Sequence, residues 1–159
     1  MSKSVSPIPE GYTAVTPYLI IKGAAKALDF YVRVLGAKEI LRMDGPNGTI
    51  GHAEIEIGGA KIMLADEWPD GNCMSPETYG GSSVLIHLYV PDVDKVFAAA
   101  LAGGATERDK LENKFYGDRG GTFADPFGHV WYVATHIEDL SEEEIRRRGE
   151  EYMAQAASD

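Results

Sequence analysis

Cysteine is nearly absent: Cys73 stands alone among 159 residues. That excludes an intrachain disulfide and fits a reducing setting such as the cytoplasm. The thiol reads as an inert loop group, not a nucleophile. No apolar run approaches the ~18 residues of a membrane helix. Met1–Pro9 lacks a basic stretch followed by an apolar core, so no signal peptide is expected there. Cations are scarce: 15 Lys and Arg face 25 Asp and Glu, a formal net charge of −10. A surface of that sign disfavours nucleic acid, whose phosphates need Lys and Arg. Part of the acidity lies in the tail after Ile137. No phosphate-cradling glycine loop is present, and the 18 glycines read as turn residues. His136, Asp139 and Ser141 are close in sequence, but no nucleophile elbow accompanies them, so a triad is not expected.

What is present is 44% hydrophobic residues, enough for one domain or two small modules sharing a core. After a loose proline-bearing arm, Thr13–Ile21 alternates as a strand, with Val15, Pro17, Leu19 and Ile21 on one face and Thr16, Tyr18 and Ile20 on the other. Ala24, Leu28, Tyr31, Val32 and Leu35 recur at helical spacing, and Gly36 suits the helix end. Strands follow over 37–43, 49–57 and 60–65. The turn-rich Asp44–Gly48 separates the first two and Gly58-Gly59 the last two. In the middle strand His52, Glu54 and Glu56 alternate with Ala53, Ile55 and Ile57. Residues 66–81 read as a linker between halves or, as the lesser alternative, a flap covering a pocket, since Trp68 and Tyr79 are unusual in a linker.

The pattern then restarts. Ser83–Val90 is a strand, with Val84, Ile86, Leu88 and Val90 facing away from Leu85, His87 and Tyr89. Asp92 caps a helix over 93–102 whose apolar face is Val93, Val96, Phe97, Ala100 and Leu101. Strands over 106–111 and 120–124 lead to Asp125-Pro126-Phe127-Gly128, a tight turn opening a last strand rich in aromatic and β-branched residues. Gly36-Ala37-Lys38-Glu39 matches Gly104-Ala105-Thr106-Glu107, and Gly59 matches Gly128, so strand–helix–three strands occurs twice. The tail from 137 to 159 is acidic and helical. Ser141 through Glu144 form a capping box, Arg146–Arg148 make a solvated face, and Ile145, Tyr152 and Met153 can dock it.

Two such modules with Phe30-Tyr31 on the first helix and the Asp125-Pro126-Phe127-Gly128 turn resemble the vicinal oxygen chelate superfamily of glyoxalases, bleomycin-resistance proteins and extradiol dioxygenases. The run Asp125-Pro126-Phe127-Gly128-His129-x-Trp131 through Ala134-Thr135-His136 resembles its uncharacterised bacterial glyoxalase-like branch. The resemblance covers residues 13–136, as modules of about 13–66 and 82–136. It implies an α+β fold in which two tandem βαβββ modules form an open, cleft-bearing mixed barrel, followed by the C-terminal helix. Homodimers are common in such a family.

Metal-dependent relatives hold a divalent ion with ligands from the first and last strands of each module. The resemblance and the repeat carry those positions to Thr16, Met63, Leu85 and Tyr132. Hydroxyl, thioether, alkyl and phenol are not the imidazole, carboxylate or thiolate that such ions take. The expected protein therefore has no metal and no cofactor. It binds a small organic ligand in an aromatic cleft lined by Thr16, Tyr18, Met63, Leu85, His87, Tyr89 and Tyr132. His87 is the one candidate for a catalytic base. The competing readings are a metal-dependent lyase, isomerase or dioxygenase with a shifted site around His87, His52 and Glu56, and a scaffold whose tail docks a partner. His129 is expected to make a structural hydrogen bond and His136 to meet Glu138 or Asp139.

Overall fold

The computed structural model describes residues 5–158. They form two compact units. One takes in the described residues through Ser83 together with Pro126–His129; the other takes in Val84–Asp125 and the described residues from Val130 onward. No helix among the described residues is long and apolar enough to cross a membrane.

The first unit runs β1 (Tyr18–Ile21), α1 (Ala24–Leu35), β2 (Lys38–Asp44), β3 (Ile50–Ile57), β4 (Ala60–Asp66) and a short α2 (Pro76–Tyr79). Its sheet order is β1-β4-β3-β2, with β1 parallel to β4 and the other pairs antiparallel. The second unit runs β5 (Leu85–Tyr89), α3 (Val93–Ala102), β6 (Thr106–Asn113), β7 (Asp118–Ala124), β8 (Val130–His136) and α4 (Glu142–Ala156). Its order, β5-β8-β7-β6, repeats the first with the same pairing senses. Both sheets are open, and each is an α+β βαβββ unit as the repeat predicts. The registers coincide as well. Tyr18 faces Met63 and His87 faces Tyr132, and a step of 69 residues carries each member of the first pair onto the second.

The helix packs on one face of each sheet. In the first unit Leu19, Ile21, Ile55 and Leu64 are buried with Ala24, Ala27, Leu28 and Tyr31 of α1. Val32, placed on that face by spacing, is exposed instead, while Phe30 and Val34 are buried. In the second unit Val93, Phe97 and Ala100 are buried with Phe123, Trp131 and Val133, and the Phe97 and Phe123 rings meet edge to face at 5.9 Å. The Trp131 indole donates to Asp125 Oδ2 at 2.9 Å, so the turn's aspartate anchors the buried ring six residues on. The outer strands β2 and β6 are almost wholly exposed and carry charges, which discourages edge-to-edge pairing.

Four expectations need correction. The first strand begins at Tyr18, not Thr13, because local bonds occupy the preceding residues: Tyr12 N–H donates to Pro9 O at 3.2 Å and Thr13 Oγ1 to Val15 O at 2.7 Å. Val84 lies outside β5 and is 65% exposed. Glycines do not fall only at turns. Gly120 and Gly121 sit inside β7, where an added Cβ at Gly121 would lie 2.9 Å from the Phe97 ring and 3.0 Å from the Leu111 backbone. Finally, Ser141 Oγ caps α4 by accepting from Glu144 N–H at 3.2 Å, but the Glu144 carboxylate turns to Arg147 and Arg148, both at distances under 3 Å.

Candidate functional site

The start of α1 sets the geometry of the first unit's pocket. Gly23 takes the left-handed backbone (φ 91°) at the helix start and has no side chain to cap it. Asp66, at the end of β4, supplies the cap. Its Oδ1 accepts from Gly23 N–H at 2.8 Å and Ala24 N–H at 3.1 Å, while Oδ2 accepts from Ile50 N–H at 2.7 Å. One carboxylate thus ties the helix start to β3 and β4. The second unit uses the same device with a hydroxyl: Thr135 Oγ1 accepts from Val93 N–H at 3.0 Å and donates to Val90 O at 2.8 Å.

Around Asp66 opens a cavity of about 750 Å³. Tyr18, Ile20 and Ala65 line it from the sheet, the Gly45–Thr49 turn closes one side, and Glu67, Trp68 and Cys73 form the opposite wall. The segment read as a linker is therefore the pocket's wall. It is folded: Trp68 and Cys73 pair backbone to backbone, at 2.8 Å and 3.0 Å. Glu67 accepts from Ser75 N–H at 2.9 Å, from Ser75 Oγ at 2.6 Å and from the Thr78 hydroxyl. The Ser75 and Thr78 hydroxyls and the Ser75 N–H lower the Glu67 carboxyl to about 2. The Trp68 ring stays 66% exposed beside the cavity and is available to a ligand.

On the same sheet the Tyr18 hydroxyl meets His52 Nδ1 at 2.8 Å, His52 Nε2 meets Glu54 Oε1 at 3.1 Å, and the Tyr12 hydroxyl donates to Glu54 Oε2. Desolvation, helped by nearby negative charge, raises the Tyr18 phenol, so it stays protonated and able to donate. Hydrogen bonds from Tyr12 and His52 lower Glu54. Both His52 nitrogens are engaged, and Glu56 is held by Lys61 at 2.7 Å.

The seven residues predicted for ligand binding fall into two groups. In the first unit Tyr18 and Met63 are register partners, with Tyr18 on the cavity; Thr16 lies ahead of β1, its hydroxyl 3.5 Å from Thr13 O. In the second unit Leu85, His87 and Tyr89 follow one another along one face of β5, and Tyr132 faces His87. The His87 ring lies between Tyr89 and Tyr132, with centroids at 4.6 Å and 4.7 Å. Leu85, His87 and Tyr89 are exposed, but Tyr132 is 8% exposed. Its ring lies over Gly120, where an added Cβ would sit 2.6 Å from Tyr132 Cζ. Its hydroxyl is 2.6 Å from that of Tyr116. Burial and that hydrogen bond push the Tyr132 phenol far up, so it remains neutral. Tyr89 donates to Asp118 Oδ2 at 2.8 Å, and His136 bridges Asp118 at 2.7 Å and Asp139 at 3.0 Å. His129 Nε2 lies 3.0 Å from Ile20 O, the structural contact expected of it. Sequence reasoning left Ile20, Asp66, Glu67 and Trp68 out of the site; Trp68's oddness in a linker was the signal available.

The donor set does not fit a divalent metal. A neutral, hydrogen-bonded phenol stands at the last-strand position, and Thr16, Met63 and Leu85 hold the others. Among the described residues no three His, Cys, Asp or Glu side chains gather where they could hold an ion.

The family model described as Glyoxalase/Bleomycin resistance protein/Dioxygenase superfamily matches residues 12–133. Uncharacterized protein Rv0887c of Mycobacterium tuberculosis is 43% identical over 136 residues, 84% of this chain and 80% of that protein. The crystal structure of TioX from Micromonospora sp. ML1 aligns with TM-score 0.60 and 27% identity over 81% of this chain and 100% of its own. TnmS3, an antibiotic-binding protein from Streptomyces sp. CB03234, aligns with TM-score 0.56 and 23% identity over 79% and 99%, a likeness of fold.

Because the Glu67 carboxyl is depressed, its contribution to the wall is complete above its ordinary value of 4.5 and is lost as pH falls toward about 2. Trp68 emission should shift across that window while buried Trp131 reports an intact core. Glu67→Ala should show the shifted emission at neutral pH. An unchanged spectrum in both experiments would show that Glu67 does not hold the wall.

Proposed function

We propose that this chain, which belongs to the glyoxalase/bleomycin resistance protein/dioxygenase superfamily, is a small-molecule-binding protein that captures a flat organic ligand without a metal or other cofactor. The observation that carries this reading is the cavity of about 750 Å³ with Tyr18 and Ile20 on its floor and Trp68 on its wall. Its volume lies within the range of about 300–1,000 Å³ typical of small-molecule pockets. Its aromatic rings offer stacking surface, and the Tyr18 hydroxyl, whose proton is directed at His52, offers acceptor lone pairs for orientation. That an antibiotic-binding protein shares the fold is an analogy in keeping with this use, since a fold alone does not assign function.

The chemistry of the pocket favours binding over turnover. His52 is saturated by Tyr18 and Glu54, and His87 packs between two tyrosine rings. The lyase, isomerase or dioxygenase alternative needs a metal, and the donor set does not supply ligands for one. The chain is further proposed to act as a homodimer in the cytoplasm. Its lone cysteine suits that compartment. The exposed Leu41 and Met43 of the first unit and, separately, Leu85 and Tyr89 of the second are apolar side chains that a second copy can cover.

Three measurements test these statements. In calorimetry against planar aromatic compounds, including antibiotics, at least one should bind, and Trp68→Ala should weaken it about tenfold through lost stacking and apolar contact. Unchanged affinity would remove the pocket from the proposal. Elemental analysis of protein purified without a nickel column should find metal well below one ion per chain; a stoichiometric ion lost in His87→Ala would instead support the metal-dependent reading. Light scattering should give twice the 17.3 kDa chain mass, and a monomer at all concentrations would sink the dimer.

A further inference from the structure

The second unit has a cavity of its own, about 500 Å³, at the outer end of its sheet. It goes beyond the pocket proposed above and shares no residue with it. One wall comes from β6 and the turn after it, and the other from Tyr152 of α4. That helix lies after residue 133, where the family match ends.

The helix is seated there by specific contacts. Gly149 packs on Phe115, where an added Cβ would come 3.3 Å from the ring, so the lack of a side chain permits the approach. The Tyr152 and Phe115 rings lie 5.3 Å apart at 31°, and Phe115 meets Tyr116 edge to face at 5.2 Å. Arg148 forks onto Glu138, both contacts at 2.9 Å, and pins the middle of the helix to the chain leaving β8. At the floor, the Tyr116 and Tyr132 hydroxyls are paired. Beside these rings stand two carboxylates, Asp109 and Glu112, and one cation. Lys114 Nζ bonds Asp109 at 2.7 Å and Glu112 at 3.0 Å, its side chain only 14% exposed.

We propose that this cavity is a second ligand site, roofed by the C-terminal helix, for an organic cation with an aromatic body. Lys114 shows the required chemistry, because an ammonium group already rests between two carboxylates in a cavity whose lining includes aromatic rings. Two acidic groups against one lysine leave a net negative charge to attract a second cation. Phe115, Tyr116 and Tyr152 present ring faces and edges suited to stacking and cation–π contact. The chain's net charge of −10 draws cations toward it and repels anions of the same shape.

Calorimetry on the full chain at neutral pH, with phenethylammonium and with 3-phenylpropanoate, tests the proposal. Phenethylammonium should bind and 3-phenylpropanoate should not. Tyr152→Ala should weaken the cation about tenfold. Tyr152 is 54% exposed, so far-ultraviolet dichroism and melting temperature should show the body of the fold intact. Lys114→Met, which frees both carboxylates, should tighten binding several-fold, a gain that misfolding does not produce. Equal binding of the anion, no binding at millimolar cation, or tightening absent in Lys114→Met would overturn the proposal. So would loss of binding in Trp68→Ala but not in Tyr152→Ala, which would assign the cation to the first pocket; failure of the first pocket with aromatic compounds leaves this result standing.

Discussion

Each unit depends on one constraint: its first and last strands pair in parallel, and the helix between first and second strands must begin at that pair's edge. Parallel strands need a crossover, and a crossover helix begins with backbone N–H groups that lack partners. Both units resolve this from the last strand. Asp66 at the end of β4 caps α1 and also holds Ile50, while Thr135 on β8 accepts from Val93 N–H and shares the start of α3 with Asp92, the expected cap, which accepts from Lys95 N–H at 3.1 Å. The capping residue ties strand, helix and strand into one piece. In the first unit it also lies on the wall of the 750 Å³ cavity, so the group that stabilises the fold helps shape the pocket. Replacing Asp66 would leave N–H groups of Gly23, Ala24 and Ile50 without their shared acceptor, a change felt in both fold and site.

Much of this arrangement was legible in the residues, because it rests on local periodicity. The alternation along β3 and β5, the apolar spacing of α3 (apart from Leu101, which is exposed) and the Asp125 turn predict the elements and their faces, and the repeat predicts that the two sheets share an order. The coincidence of Tyr18–Met63 with His87–Tyr132 is a register-level form of that repeat. What escaped the sequence has non-local causes. The wall over 67–79 has no period; it is held by a carboxylate reaching eight and eleven residues along the chain to Ser75 and Thr78. Gly120 and Gly121 fall in an expected strand, but the reason that they are glycines is hidden until β8 and α3 are in place. Then their missing side chains make room for Tyr132 and Phe97. Thr13 to Pro17 alternates like a strand, yet the Thr13 and Thr16 hydroxyls bond locally, to the Val15 and Thr13 carbonyls, and it is Pro17 O that meets the sheet, accepting from Met63 N–H at 2.9 Å.

Tyr132 shows how one position changes character without disturbing the fold. Its backbone keeps the register of a last strand, and its ring occupies the space Gly120 leaves. Desolvation and Tyr116 hold the phenol neutral, so it can donate or accept a hydrogen bond but not act as an anionic ligand. The acidic partners in this unit serve other ends. Asp118, 2% exposed, accepts from Tyr89 and faces His136, whose own titration is raised chiefly by that contact and then by Asp139. With its pKa raised, the charged His136 contributes below the ordinary histidine range and is lost as pH climbs through the higher folded value.

The tail follows the same logic of local satisfaction. Its three arginines face acids of their own unit: Arg146 meets Glu142, Arg147 meets Glu144 and Glu151, and Arg148 meets Glu138 and Glu144. Exposed pairs of this kind stabilise a helix only slightly. What places α4 is the fork between Arg148 and Glu138 together with Gly149 and Tyr152 against Phe115. A basic face intended for an anionic partner would leave guanidinium groups free, whereas here each is committed to a carboxylate. The side of α4 that bears Tyr152 instead lines the second cavity, with the rings and acids at the end of its own sheet.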